Sequence, residues 1–358
     1  MLRKAMFPGK YLQGANALQE LPALVALFGK QGLILAAGTA CSRILPTSGI
    51  DLPVERFGGE CCASELARLA EVIAAGQVDV LVGMGGGKAI DTAKIAADRA
   101  GIPVVIVPTT ASTDAPCSGC AVLYSEQGVF ESVFYQTLNP AAVLVDTAII
   151  ADAPARFLVS GMGDALATWF EARSCSATHS ANACGGLATM TGLALARLCY
   201  DTLLGYGVTA KIAAEQHIVT PALERIVEAN TLLSGIGFES GGLAAAHSIH
   251  NGLTALPETH AFYHGEKVAF GVLAGLQLID ASPDESATVY GFCEQVGLPT
   301  TLADLGLQGC DRSRLRQVAE KACAPIESIH HEAGMITPDR VLNALLAADA
   351  IGRYRARI

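Results

Sequence analysis

The chain is poor in charge. Asp, Glu, Lys and Arg make up 16% of its 358 residues, against 51% apolar residues. Even so, no uninterrupted apolar run comes near the roughly 18 residues of a membrane span, and no membrane partner is expected. The apolar excess is mostly alanine and glycine. That suits close-packed helices and a buried subunit interface, so a homo-oligomer is expected. An excess of positive charge is also lacking, since the formal net charge is −10. Phosphate backbones are bound through a basic field, so the balance argues against nucleic acid and leaves open a local pocket for a small anion. The opening MLRKAMFPGKYLQG has neither an apolar h-region nor a small-residue cleavage site, so no secretory signal is expected. A paired cysteine framework is missing as well. The eleven cysteines are odd in number and scattered, which fits reduced thiols in a cytoplasmic protein. Cys117 and Cys120 make a C-x-x-C pair with no second half-site and read as structural. Repeats and low-complexity tracts are absent.

A chain of this length is expected to form two domains. Up to about residue 150, short apolar runs alternate with helical patterns. Strands are predicted near 10–13, 32–37, 52–57, 78–82, 104–107 and 142–145, helices over 15–28, 64–75 and 89–99, and a hairpin over 122–135. Such alternation gives a Rossmann-like α/β domain, a parallel sheet covered by helices on both faces. After the boundary, Ala/Leu-rich segments separated by Gly or Pro predict an all-α domain over 151–358.

The first domain lacks both the P-loop pattern and G-x-G-x-x-G. What it has is a strand from Val80 running into Gly85, Gly86, Gly87 and Lys88 at the start of a helix. Consecutive glycines let a backbone approach a pyrophosphate at a helix N-terminus; a plain tight turn stays open as the alternative. A second loop, PTTASTDAP, follows the next strand at the same carboxyl edge, where open α/β sheets bind ligands. Its hydroxyls suit phosphate, ribose or amide contacts. Asp114 offers an acceptor to a hydroxylated substrate, or else makes an Asx-turn. Lys88 could meet a phosphate or be solvated, and Asp91 is also explained by the helix dipole.

The second domain lacks H-E-x-x-H, yet residues 241–267, GGLAAAHSIHNGLTALPETHAFYHGEK, hold four of the eight histidines. His247 and His250 are three apart, His260 and His264 four apart, and helical pairs of either kind share a face. The lead-in GFESGG is too glycine-rich to remain helical, so a helix is expected from about Leu243 to Asn251, then a loop at Pro257. Imidazole is the commonest metal ligand. Two such histidines with a carboxylate from elsewhere make a three-ligand site with one open position, and a chance cluster of core or surface histidines remains open. Asp164 in GMGDALATWFEA is a candidate carboxylate, although N-capping of a helix would explain it too.

GMGGGKAIDTAK, PTTASTDAP, GMGDALATWFEA, EQHIVTPALERIVEAN, GFESGGLAAAHSIHNGLT and FYHGEKVAFG resemble motifs of the glycerol dehydrogenases, metal-dependent polyol dehydrogenases of the iron-containing alcohol dehydrogenase superfamily. The resemblance runs from Phe7 to near the C-terminus. It implies the dehydroquinate synthase-like architecture: a dinucleotide-binding α/β domain over 1–150 and a helical, metal- and substrate-binding domain over 151–358, with the active site in the cleft between them. It implies Zn2+ on Asp164, His247 and His264, with Asp114 contacting substrate and His250 and Phe238 lining the cleft. Asp114 and His250 are the candidate catalytic residues. NAD contacts are expected at Gly85, Gly86, Gly87, Lys88, Asp91, Thr109, Thr110, Ser112, Ser118 and Tyr124. Iron-dependent relatives carry a fourth histidine where Thr168 stands here, which favours zinc. Dehydroquinate synthase has glutamate in place of Asp164 and needs a basic cluster that this chain lacks.

The implied reaction is oxidation of glycerol, or a related vicinal diol, to dihydroxyacetone with hydride transfer to NAD, in a cytoplasmic homo-oligomer, an octamer by resemblance. Alternatives are another polyol or hydroxy-acid dehydrogenase of the superfamily, or a dehydroquinate synthase-like lyase. One departure concerns the cofactor. A dinucleotide fold usually ends an early strand in an acid that holds the ribose 2′-hydroxyl. Here Ala36, Ala37 and Gly38 stand there with Arg43 nearby, which leaves NADP open beside NAD.

Overall fold

The computed structural model describes residues 1–357. The runs Gly32–Ala36, Val104–Pro108 and Ala142–Asp146 are buried at every position, the pattern of strands covered on both faces. Eight strands form: β1 Tyr11–Gly14, β2 Gly32–Ala36, β3 Val54–Arg56, β4 Val80–Gly85, β5 Val104–Pro108, β6 Cys120–Tyr124, β7 Phe130–Tyr135 and β8 Ala142–Asp146. Six of them pair in parallel in the order β1-β8-β5-β4-β2-β3. β6 and β7 make a separate antiparallel hairpin. Around the sheet lie α1 Leu21–Ala26, α2 Leu45–Ser48, α3 Ala63–Ala75, α4 Gly87–Ala100 and α5 Thr147–Asp152. Alternate residues Ile34, Val82, Val105 and Leu144 pack with Leu21 and Val25 of α1 into one core. The sheet is thus the predicted Rossmann-like one. The expected helix over 15–28 is shorter: a 3-10 turn at Ala17–Glu20 precedes α1.

The remainder is helical: α6 Ala155–Thr178, α7 Met190–Glu215, α8 Pro221–Glu228, α9 Ser234–Gly241, α10 Ala245–Leu253, α11 His264–Leu278, α12 Pro283–Val296, α13 Arg312–Ala322 and α14 Pro338–Arg355. Two compact units result. One is Met6–Leu158 with Ile212–Gly235; the other is Met1–Ala5 and Val159–Lys211 with the chain from Ile236 onward. The sequence places a single boundary at 150/151. In the structure the sheet unit takes back a helical segment, because Gln13 Nε2 and Thr147 Oγ1 both donate to the Glu224 carboxylate of α8, each at 2.7 Å. All eleven cysteines are free thiols. Among the described residues no helix is long and apolar enough to cross a membrane.

The expectation that GFESGG leaves the helix is corrected. α9 runs through Phe238 to Gly241 and breaks only at Gly242, whose φ of 114° is left-handed. Glycine weakens a helix through backbone entropy, but here it lets α9 lie directly against α6. A Cβ on Gly237 would stand 2.7 Å from Thr168 Cγ2, and one on Gly241 would stand 2.5 Å from Ala172 Cβ. Gly241→Ala is therefore expected to destabilise the protein, despite alanine's better helix propensity, by about 1–3 kcal/mol of overpacking. Denaturant unfolding checks this; an unchanged or higher midpoint counts against the contact.

Candidate metal centre and glycine-loop edge

Asp164 lies well inside α6, so the capping explanation offered by the sequence does not apply. Its side chain is 1% exposed, and a carboxylate so placed is costly unless paired. Two glycines bring it a partner. A Cβ on Gly163 would overlap the Gly265 carbonyl, and a Cβ on Gly265 would overlap the Ser160 carbonyl. The backbones of α6 and of the start of α11 therefore touch, and His264, the first residue of α11, comes against Asp164. Asp164 Oδ1 lies 3.0 Å from His264 Nε2 and 3.4 Å from His247 Nε2 on α10. The three donor atoms fall within 4.8 Å of one another. Donors bound at ~2.0–2.1 Å around a tetrahedral ion stand roughly 3.4 Å apart, so one oxygen and two nitrogens at these spacings suit a zinc-type ion. Thr168, one turn beyond Asp164, is buried and brings no imidazole, which leaves three protein donors.

Glu171, two turns along α6 and buried, was not anticipated. Its Oε1 accepts the backbone N–H groups of Ala244 and His247 at 2.8 and 3.0 Å, and its Oε2 takes His247 Nδ1–H at 2.6 Å. One carboxylate thus satisfies the N-terminus of α10, favours that dipole end and fixes the His247 ring. With Nδ1–H committed to Glu171, Nε2 is the nitrogen turned to Asp164, and its lone pair is open to an ion once its own proton leaves, the arrangement usual for a ligating histidine. The available signal was the seven-residue spacing of Asp164 and Glu171, two acids on one helical face. Burial draws the His247 pKa down, yet the charges of Glu171 and Asp164 outweigh it and hold it well above its ordinary value. For Asp164, burial acts upward, and the two imidazoles beside it carry its pKa well below the usual carboxylate range.

His250 sits behind His264, with Nε2 3.1 Å from His264 Nδ1 and Nδ1 3.1 Å from Asn251 Oδ1. Burial, and then the charges of His264 and Lys267, hold its pKa well below ordinary. Both ring nitrogens are therefore engaged. His260 does not join the group. It belongs to the 3-10 turn Pro257–Ala261, and its Nε2 meets Thr254 O at 3.0 Å, so the expected shared face with His264 does not form.

The sheet unit presents the second group of residues. Gly85 pairs with Pro108, so the glycine turn and PTTASTDAP leave the sheet side by side, joined by Thr109 N–H to Gly85 O at 2.9 Å. The three glycines differ in task. A Cβ on Gly85 would come 2.8 Å from the Cβ atoms of both Ala37 and Ala89, which is a packing constraint. Gly86 and Gly87, at the N-terminus of α4, face Thr110 Oγ1 and Thr113 Oγ1, each 3.8 Å from where a Cβ would be. The Thr110 and Ser112 hydroxyls are 3.2 Å apart. Lys88 pairs with Glu60 and lies over the Tyr124 ring, 5.0 Å from its centroid. Asp114 Oδ2 takes a hydrogen bond from Ser234 Oγ at 2.8 Å.

Asp91 and Ser118 hold backbone next to the loop. Buried Asp91 accepts Val122 N–H at 3.1 Å. Lys94, fully buried, donates to Ala115 O, to Cys120 O at 2.8 Å and to Ser118 Oγ at 3.4 Å.

The family model for iron-containing alcohol dehydrogenases matches residues 8–147. Over all of both chains, the protein is 52% identical to a glycerol dehydrogenase of Thermotoga maritima. The chain belongs to the glycerol dehydrogenases of the iron-containing alcohol dehydrogenase family. The crystal structure of a probable glycerol dehydrogenase from Sinorhizobium meliloti 1021 superposes with a TM-score of 0.94 at 49% identity, covering 98% of this chain and 99% of that one. Glycerol dehydrogenase from Schizosaccharomyces pombe gives 0.92 at 36% identity, covering 98% and 91%. As a member of this family the chain is an oxidoreductase.

If the cluster holds a divalent ion, Glu171→Gln is expected to weaken its binding about 10–100-fold, the usual effect of losing a carboxylate behind a ligating histidine. A competition titration against a chelator measures it, and unchanged affinity argues that the Glu171–His247 pair is only structural. Lys94→Met removes the ammonium shared by Ala115 O, Cys120 O and Ser118 Oγ, at a cost of about 1–3 kcal/mol for a polar group that loses its partner. Faster amide exchange over residues 109–122 is the expected sign; exchange like that of the parent protein contradicts this support.

Proposed function

We propose that this family member oxidises glycerol, or a related vicinal diol, to the corresponding hydroxyketone, dihydroxyacetone in the case of glycerol, with Zn2+ held by Asp164, His247 and His264 and NAD as hydride acceptor. The observation that carries this reading is the convergence of one buried carboxylate and two imidazole Nε2 atoms on one position. When bound, the ion supplies Lewis acidity that favours the deprotonated alcohol, and the nicotinamide takes up the hydride. The protein's part is binding and orientation. Asp164 brings a single negative charge and the imidazoles none, so the donor set leaves a divalent ion net positive, as attraction of an ionising hydroxyl requires. Glu171 holds the His247 ring in place for this role.

Asp114 is assigned to the substrate's remaining hydroxyls, its carboxylate fixed by Ser234. The pyrophosphate is assigned to the backbone of Gly86 and Gly87, with Thr109, Thr110 and Ser112 around it, at the positive end of α4. Asp91 and Ser118 support that loop from beneath, and Lys88 and Tyr124 border it. His250 is assigned to holding His264. The exposed apolar side chains of Phe130, Tyr135 and Leu138 at the β6–β7 hairpin favour a homo-oligomer. At the end of β2, a Cβ on Gly38 would lie 3.5 Å from an Arg56 guanidinium nitrogen, so NADP belongs in any comparison with NAD.

Stripping the metal with a chelator is expected to abolish NADH formation from glycerol, and added Zn2+ to restore it. Full turnover by verified metal-free protein overturns the reading. Consumption of substrate with no accumulation of reduced cofactor favours the lyase alternative instead.

A further inference from the structure

Behind His264 runs a chain of hydrogen bonds that ends on a carboxylate. Asn251 Nδ2 lies 3.2 and 3.0 Å from the two oxygens of Glu327. Asn251 Oδ1 lies 3.1 Å from His250 Nδ1, and His250 Nε2 lies 3.1 Å from His264 Nδ1. We propose that Glu327, acting through Asn251 and His250, sets the tautomer of His264 and so keeps its Nε2 lone pair on the metal position. The inference rests on the metal reading above.

The polarity follows from donor inventory. A carboxylate only accepts, so Asn251 must turn its NH2 towards Glu327 and its oxygen towards His250. An oxygen there calls for a hydrogen on His250 Nδ1, and the 3.1 Å contact of His250 Nε2 with His264 Nδ1 has room for only one more. His250 then offers a lone pair at Nε2, which requires the proton of His264 to sit on Nδ1. The other nitrogen of His264, Nε2, is left bare beside Asp164 Oδ1, at 3.0 Å. Without this chain the opposite order is available and locally attractive. His264 would carry its proton on Nε2 and donate it to the Asp164 carboxylate, blocking a ligand position with a hydrogen. Glu327 thus opposes the tautomer that an isolated Asp164–His264 pair prefers.

Glu327 is fixed by its own segment. Ser328 Oγ donates to Ala244 O at 2.9 Å, Ile329 N–H to Ser248 Oγ at 2.8 Å, and His331 Nδ1–H to Leu243 O at 2.7 Å. Glu332 Oε1 accepts Ala245 N–H at 3.2 Å. Residues 327–332 therefore grip α10 from its N-terminal approach to Asn251 near its far end. Asn251 and Glu327 act through His250 and are positioning residues.

The test compares Zn2+ affinity, by competition with a chromophoric chelator, in the full-length protein, Glu327→Gln and Glu327→Lys. Glutamine still offers Asn251 an acceptor and is expected to bind Zn2+ much as the parent does. Lysine only donates and turns Asn251 around, and is expected to weaken binding about 10–100-fold. Thermal unfolding of the three metal-free proteins is expected to coincide. A second pair keeps the test open if the lysine variant fails to fold. Asn251→Asp retains an acceptor for His250 and keeps the affinity, while Asn251→Leu removes it and loses affinity. Lysine and leucine variants that bind Zn2+ as tightly as the parent overturn the tautomer proposal alone. A parent protein that takes up no Zn2+ overturns it together with the metal reading.

Discussion

Burying the Asp164 carboxylate within a helix costs several kcal/mol unless positive or proton-donating groups meet it, and the helical unit is arranged to meet it. α10 and α11 each bring an imidazole to that side chain, and each imidazole is held from behind. Glu171 holds His247 directly, while His264 is held through His250 and Asn251. The two supports differ in length but end alike, on an acid that can only accept. Both rings are therefore oriented by acceptors placed on the side away from Asp164. A cation is the natural complement to a cluster of this polarity.

The sheet unit solves a different problem with similar means. Its glycine-loop edge consists largely of backbone and hydroxyls, groups with no long side chain to hold them in shape. α4 supplies the rigidity from within, through an acid and an ammonium one turn apart that point into the protein. Asp91 fastens the hairpin and Lys94 fastens two points of the loop and the start of β6. These are charged groups spent on backbone placement, so the hydroxyls of Thr110, Ser112 and Thr113 are presented by a supported loop.

Legibility in the sequence followed the range of the interactions. The sheet was readable because fully apolar runs such as 104–108 announce themselves locally, and the glycine turn was readable because its three glycines are adjacent. The candidate ligands Asp164, His247 and His264 could be named only through the family motifs, since a local rule gives Asp164 a cap and pairs His264 with His260. GFESGG was misjudged for a related reason. The helix cost of its glycines is local, but the offsetting contact involves Thr168 and Ala172, some seventy positions away. Glu171, Asn251 and Glu327 escaped notice because each acts across about 76 residues, a separation at which one sequence carries no pattern. The return of residues 212–235 to the sheet unit rests on polar contacts far apart in sequence, Glu224 with β1 and α5, Asn230 with Ala111 O and Leu158 O, and Ser234 with Asp114.

The crossing of Gly163 and Gly265 bears on how this centre can change. No side chain at either position clears the opposing carbonyls, so the anchoring of His264 relative to Asp164 is specified by two missing methyl groups. Substitution there closes off small adjustments of the donor triangle, since the first added carbon already collides with main chain. Variation in ion preference is left to the outer partners, where Glu171 and Glu327 offer room for gradual retuning without displacing a helix.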